Sequence, residues 1–572
     1  MTPHPVSPGP VTTDDEIIAD LNLDAPGLEK VKAAIQTGDI PAAQAAYLDY
    51  RRTASPAKWK ITPADEPAAP TETDDPVGDA ICKHLLSNRY FRLGSPPPAQ
   101  IDVGKDFNWK YNPLPPSDPA YTSLWAAMMD RTPWWDDLAK AYWQTRNEKY
   151  AVEWVTELRD FARKNPVPPG TTGMWAPPSL WVSLDVGIRM SDPWPNAYYH
   201  FLNSPSFTPA DNWLYLKLVR DHAIRLLTGL KVSPDRSGNW VILECSGLYT
   251  AGVLFPELRE AAAWRQFAVD RMLLEMKRMV PPDGFEAELT PGYHMTVAKG
   301  FRSSLELAKL NKLPISEAFQ SKVIAMYRAL VLVMDQEGND VPTNDSTLIN
   351  ARYEAKTGLE IADDPLLEWA ASGGKSGTAP PDSTMLPYAG FYAMRGGWKP
   401  NDLFLFFRAG PPGIGHEHQD MLEITLNAWG KTLLFDAGRY TYDQSDWRRF
   451  SNGTASHNTI IVDGKWQHRP KNKVPVPPVS NPWVTTPLFD YVAATYDAGY
   501  QQSVYKAQQY DPQRWVGEVD KSVSHTRRVL FLRPYYALVL DTLDGTGDHT
   551  FDAHFHMDAP AAHLDLATQA AF

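Results

Sequence analysis

The run GHEHQD at residues 415–420 places two imidazoles, His416 and His418, among two carboxylates, Glu417 and Asp420. Imidazole titrates near neutrality and is the commonest protein metal ligand, so such a run suits proton transfer, metal binding or a polar strand end. In a strand alternate side chains share a face, which lets His416, His418 and Asp420 project together while Glu417 faces the other way. Two further polar residues stand at similar strand ends, Asp436 in LLFDAGRYTYD and His457 in TASHNTIIVDG. His418, Asp436 and His457 are separated by intervals of 18 and 21 residues. Those intervals fit neighbouring antiparallel strands. Two imidazoles and one carboxylate suit zinc or a similar divalent ion. Polar residues at exposed strand ends would be spaced the same way, and spacing does not choose between the two.

A second set lies earlier in the chain. SGNWVILECSGLYT offers Asn239 and Glu244, and PPDGFEAELTPGYHMT offers Glu286, Glu288, Tyr293 and His294. Both are loop-to-helix junctions, where functional residues concentrate. Taken singly, an Asn before Trp reads as a cap or turn residue, and a Tyr after Pro-Gly as packing.

The elements that must carry these residues change character along the chain. Residues 1–15 read as a disordered leader. Short amphipathic helices follow to about residue 54, and then a Pro-rich connection, ITPADEPAAPTETDDP. From about 120 to 370 the apolar period is helical. Val219, Ala223, Leu226, Leu227 and Leu230 fall on one helical face, and Trp264, Ala268, Met272 and Met276 on another. Many helices joined by Pro, Gly and Trp loops point to stacked antiparallel pairs, as in an α/α toroid, or to an irregular bundle. After the linker ASGGKSGTAPPDSTMLPYAG the period becomes two. In LEITLNAWG, Leu422, Ile424 and Leu426 alternate with Glu423, Thr425 and Asn427, and KTLLFDAG, HNTIIVDG and RRVLFLRPYYALVLDTLDG are further strands. The expected architecture is therefore multidomain α+β: a leader at 1–15, an α/α toroid over 16–385, and an antiparallel β-sandwich over 386–572. No clear closing strand is visible at its end, so the sandwich is expected to be incomplete or to continue in the natural protein.

At 572 residues the chain needs more than one core. Its net charge of −13, without a basic run, excludes the usual nucleic-acid binder. Only Cys82 and Cys245 are present, which excludes a disulfide framework and a CxxC metal site. No apolar window is long enough to span a bilayer. The 20 Trp, 25 Tyr and 21 Phe can line a cleft that stacks on sugar rings, or simply fill large helical cores.

In their order these segments resemble the heparinase II/III-like polysaccharide lyases, over most of the chain. IDVGKDFNWKYNP, PWWDDLAKAYWQTRNEKYAVEWVTELRDFARKNP and WVSLDVGIRM are similar to that family's N-terminal helical domain. NWVILECSGLYT and DGFEAELTPGYHM resemble its catalytic segments, and GHEHQDMLEITLNAWGKTLLFDAGRYTYD with GTASHNTIIVDG its β-sandwich. The resemblance implies β-elimination beside a uronic acid in an acidic polysaccharide, such as heparan sulfate, hyaluronan or alginate. It implies Asn239 as the neutraliser of the uronate carboxylate, with Glu244 orienting that region. It implies Tyr293 as proton donor, and base for one C5 epimer, with His416 as base for the other. His294, Arg439 and Tyr440 would support the site, and Arg439, Arg448 and Arg449 are candidates for pairing with substrate anions. His418, Asp436 and His457 match the family's metal positions, where a structural zinc or similar ion would hold the loop presenting His416. No organic cofactor and no membrane insertion are implied, and the location expected is periplasmic or secreted. Two rivals remain at this level: a glycoside hydrolase using Glu286 and Glu288, and a non-catalytic binder of acidic glycans.

Overall fold

The computed structural model describes residues 11–91, 99–174, 180–470, 474–505, 513–559, 564–565 and 570–571. The chain forms two compact units. The first comprises Met1–Pro115, Thr122–Glu275 and Gly300–Ser316; the second comprises Pro116–Tyr121, Met276–Lys299 and Glu317–Phe572.

The first unit is helical. Its opening helices are α1 (Asp14–Asp20), α2 (Glu29–Gln36) and α3 (Ile40–Thr53). Of the leader expected over 1–15, residues 1–10 lie outside the described residues. Thr12, by contrast, is buried and donates from its backbone N (3.0 Å) and its hydroxyl (2.5 Å) to Asp221. A buried carboxylate needs donors, and this stretch supplies them. Thr13 then closes a capping box with Glu16. The longer helices used below are α4 (Glu148–Lys164), α5 (Ser183–Ser191), α6 (Pro209–Val232) and α7 (Asn239–Leu254). Helices α5 and α7 approach closely through two glycines: a Cβ on Gly247 would lie 2.6 Å from the carbonyl oxygen of Gly187. Only glycine permits that approach. Of the face the helical period predicts, Val219, Ala223, Leu226 and Leu230 are buried in α6 and Leu227 is half-buried.

In the second unit five strands form one antiparallel sheet in sequential order: β1 (Thr384–Leu386), β2 (Phe391–Arg395), β3 (Phe404–Arg408), β4 (Ile424–Ala428) and β5 (Lys431–Leu434). The short strand β6 (Ile460–Val462) follows. A four-stranded antiparallel sheet then comprises β7 (Trp483–Thr485), β8 (Phe489–Tyr496), β9 (Val523–Leu532) and β10 (Tyr536–Gly545). Tyr392, Met394, Leu405, Phe407 and Ile424 pack against Val492, Ala494, Tyr496, Val529 and Phe531, which makes the sandwich core. The opposite face of β2 and β3 carries Phe391, Ala393, Phe404 and Phe406. These pack on Phe285, Leu289, Ala329 and Val333, the last two from helix Glu317–Val333.

Cover on both faces changes one expectation. Alternation in LEITLNAWG predicts a polar face for Glu423 and Thr425, yet both are buried. Glu423 instead accepts from the backbone N (3.0 Å) and side-chain amide (2.9 Å) of Asn458.

Candidate active site

All the contacts described first belong to the second unit. Pro291 and Gly292 open helix Pro291–Leu310, and Tyr293 is its third residue. Proline suits a helix start because its missing N–H would have no intrahelical partner there. The Tyr293 ring stacks on the imidazole of His416, with centroids 3.6 Å apart and planes within 13°. Its hydroxyl lies 2.7 Å from that of Tyr442, which is 3.3 Å from His416 Nδ1. Burial, reinforced by the nearby Asp345 carboxylate, pushes the Tyr293 phenol up to about 12. At neutral pH it therefore holds its proton.

GHEHQD is not a strand. It is an irregular loop between β3 and β4, and His416 has a left-handed backbone (φ 60°). The anticipated alternation fails for that reason, although His416 and His418 do converge, on one carboxylate. Asp345 Oδ2 lies 3.1 Å from His416 Nδ1, and Asp345 Oδ1 lies 3.0 Å from His418 Nε2. Arg448 pairs with both oxygens of Asp345, at 2.9 Å to Oδ2. Burial alone would raise the Asp345 pKa; Arg448 and the two histidines outweigh it and hold the carboxyl well below its usual range. An ionised Asp345 accepts the Nδ1 proton of His416, and the imidazole lone pair is then on Nε2. That nitrogen lies 3.9 Å from Glu288 Oε2, and the His416 side chain is 20% exposed. Asp420, the third member of the anticipated face, turns away to pair with Arg408 at 2.5 Å.

Four non-glycine residues around this site have left-handed backbones: Leu289 (φ 55°), Asn344 (φ 57°), His416 (φ 60°) and Leu422 (φ 62°). Such conformations cost energy and persist where the surroundings over-determine them, characteristically at functional sites. Here the tie is Asn344. Its amide donates to Leu289 O at 2.8 Å, and its Oδ1 accepts from His418 N at 2.9 Å. The next residue's N–H, that of Asp345, donates to His416 O at 3.1 Å. Three loops are thereby fastened into one.

Beyond His418 lies a buried group of potential metal ligands. Asp420, Asp436 and His457 each present a ligand atom within 4.8 Å of the others. His457 Nδ1 is 3.1 Å from Glu423 Oε2 and 3.5 Å from Asp436 Oδ1. The His418 and His457 rings are 5.3 Å apart. The family resemblance implies His418, Asp436 and His457 as the ligands; the fold joins Asp436 and His457 with Asp420, while His418 reaches Asp345 through Nε2. Among the described residues, His418 Nδ1, Asp420 Oδ2, Asp436 Oδ2 and His457 Nε2 are buried without a hydrogen-bond partner. Unpaired buried polar atoms are costly, and four together fit a bound cation that would satisfy them. Nitrogen and carboxylate donors of this kind suit a zinc-like ion.

The remaining predicted residues separate. Asn239 and Glu244 belong to the first unit. Asn239 begins α7 after Gly238 (φ 121°), and Glu244 is fully buried, pairing with Arg236 and accepting from Ser183 Oγ at 2.7 Å. His294 stacks on Phe285 at 4.3 Å, donates from Nε2 to Met326 O (2.9 Å) and accepts at Nδ1 from Glu286 N (3.1 Å). Burial lowers its pKa to about 4, so it is a neutral brace for the 285–290 loop. Arg439 lies over the Tyr442 ring at 4.8 Å. Of the other candidate anion binders, Arg448 is committed to Asp345, and Arg449 donates to Ser503 O (3.2 Å) and covers Trp466. Sequence reasoning missed Asp345 and Tyr442. Asp345 sits in VPTNDS, whose only signal is an Asn-Asp pair among turn residues.

The chain is similar to known proteins over most of its length. The family model described as Heparinase II/III N-terminus matches residues 17–357, and Heparinase II/III-like, C-terminal, matches 378–571. The chain is 28% identical over 551 residues to a heparin-sulfate lyase of Pedobacter heparinus, covering 94% of this chain and 77% of that protein. It is also 28% identical over 577 residues to a heparin-sulfate lyase of Bacteroides stercoris, covering 95% and 78%. Among solved structures, one of heparinase III superposes with a TM-score of 0.77 at 22% identity, covering 97% of this chain and 84% of that one. A heparan sulfate lyase of Pedobacter heparinus gives 0.63 at 27% identity, covering 96% and 82%.

Proposed function

Since the chain belongs to the heparinase II/III family and is a polysaccharide lyase, we propose that it cleaves a glycosaminoglycan of the heparan sulfate type by β-elimination. The observation that carries the reading is the His416–Tyr293 stack, with Asp345 behind the histidine. His416 Nε2 takes the C5 proton, and the C5–H electron pair becomes the C4–C5 double bond. The C4–O4 bond breaks, and Tyr293, whose phenol keeps its proton at neutral pH, protonates the departing O4. Asp345 supports the resulting imidazolium, as a buried carboxylate does behind other catalytic histidines. Asn239 is assigned the uronate carboxylate on the strength of the family resemblance, because an amide donor stabilises the charge that moves there.

Asp436 and His457, with Asp420 and His418 beside them, would hold a divalent ion, and zinc is the first candidate. Such an ion would supply rigidity to the loop that carries His416. Relatives named heparin-sulfate lyases support the substrate class, and the absence of a dense basic segment favours weakly sulfated polymer. A periplasmic or secreted location fits a polymeric substrate and is checked by fractionating the source cells.

The hydrolase reading is disfavoured by burial. The Glu286 carboxyl is fully buried and accepts from Glu288 N at 3.1 Å within its own loop. The deciding experiment incubates the enzyme with heparan sulfate, hyaluronan, chondroitin, dermatan and alginate while following ultraviolet absorbance. Heparan sulfate should yield the absorbing unsaturated uronate. Depolymerisation without new absorbance would overturn elimination, and absorbance from alginate alone would overturn the substrate class.

A further inference from the structure

The segment 439–450 has two sides. Tyr442 and Arg448 face the catalytic pair and Asp345, while Tyr440, Trp447 and Phe450 point to solvent, 62%, 63% and 40% exposed. Trp447 and Phe450 stand on helix Asp446–Asn452. The Tyr440 and Trp447 rings are 5.9 Å apart at 53°, and Trp447 meets Phe450 edge-on at 6.3 Å. Large aromatics usually bury most of their area, and contiguous exposed ones mark a recognition surface.

We propose that Tyr440 and Trp447 form a subsite on which a pyranose ring of the acidic polysaccharide stacks, alongside the catalytic pair. The idea rests on the lyase reading and extends it to how the chain is gripped. Two observations select a uronate polymer as occupant. First, the platform is carried by the same short segment as Tyr442, whose hydroxyl lies 2.7 Å from that of Tyr293. Second, the neighbouring residue is Arg439, a half-buried cation resting on the Tyr442 ring, which complements a polyanion. Asp446 is exposed on the same helix and opposes that attraction, so stacking on the rings has to contribute to the grip. Stacking lets the apolar C–H face of a sugar cover exposed ring area, and salt does not screen it.

The test measures heparan sulfate binding by calorimetry in the Tyr293→Phe background, with and without Trp447→Ala and Tyr440→Ala, and circular dichroism checks the fold. Each aromatic truncation should weaken binding roughly 3- to 10-fold. The deficit should persist in concentrated salt. With Tyr293 restored, KM should rise by a larger factor than kcat falls. Unchanged affinity in both truncations would overturn the subsite. So would loss of a dimer on truncation without loss of binding, because the rings would then serve a second copy of the chain. Retained turnover in Tyr293→Phe would instead overturn the lyase role of Tyr293, and a weakened Trp447→Ala complex would still support the platform.

Discussion

Asp345 is the residue on which the site turns, because it holds both His416 and His418 while Arg448 keeps it ionised. Asp345→Asn keeps the shape but removes the charge behind the imidazole and leaves Arg448 without its partner. Turnover should fall about 10- to 100-fold, as for other groups that orient a functional histidine, and steady-state kinetics on a protein of native circular dichroism would show it. Tyr293→Phe removes the proton donor alone. It should lower kcat at least about 100-fold with substrate affinity nearly kept. Because the phenol is pushed up to about 12, the wild-type pH–rate profile should show no alkaline loss from Tyr293 until pH approaches that value. An alkaline limb that appears near neutrality and vanishes in Tyr293→Phe would contradict the assignment.

At the scale of elements, the loop after β5 and the loop before β6 bring Asp436 Oδ1 to 3.5 Å from His457 Nδ1. Asp436→Ala and His457→Ala should each lower metal content, measured by mass spectrometry of the purified protein, and lower the melting temperature by several degrees. Unchanged metal content in both would remove the site. A second prediction concerns α4 in the first unit. Glu157 is buried there and accepts from the indole nitrogens of Trp134 (2.8 Å) and Trp135 (2.6 Å). Burial, with Glu153 nearby, raises its pKa to about 8. A carboxyl raised in the folded state is destabilising once pH exceeds its unfolded value of about 4.3, and the penalty grows until pH passes the folded value. Wild-type melting temperature should therefore decline from pH 5 to 8 more steeply than that of Glu157→Gln. Parallel curves would show that Glu157 is ionised throughout.

For the whole molecule, the role of Asn239 rests on the family resemblance and has its own test. Asn239→Ala should cut turnover at least about 100-fold, the usual loss of one preorganised donor; retained turnover would overturn that role. Much of this organisation is legible in the sequence. Helical and strand periods locate α6, β4, β9 and β10, because burying one face imposes a period on the residues themselves. Tyr293, His416, Asp436 and His457 stand out by residue type in ordered motifs. Three features escape such reading. Glu423 reads as part of a polar face because no local pattern shows that Asn458 and His457, from a distant loop, meet it in the interior. His416 and His418 do not alternate, because a left-handed residue reverses the chain at His416. Asp345 is silent, lying 71 residues from His416 in a loop with no period. Local periodicity records which face of an element is buried, and so the sequence by itself determined which stretches form helices and which form strands. Which groups meet across loops depends on long-range packing, and only the tertiary structure decided that Asp345 joins the two histidines and that Asp420 stands with Asp436 and His457.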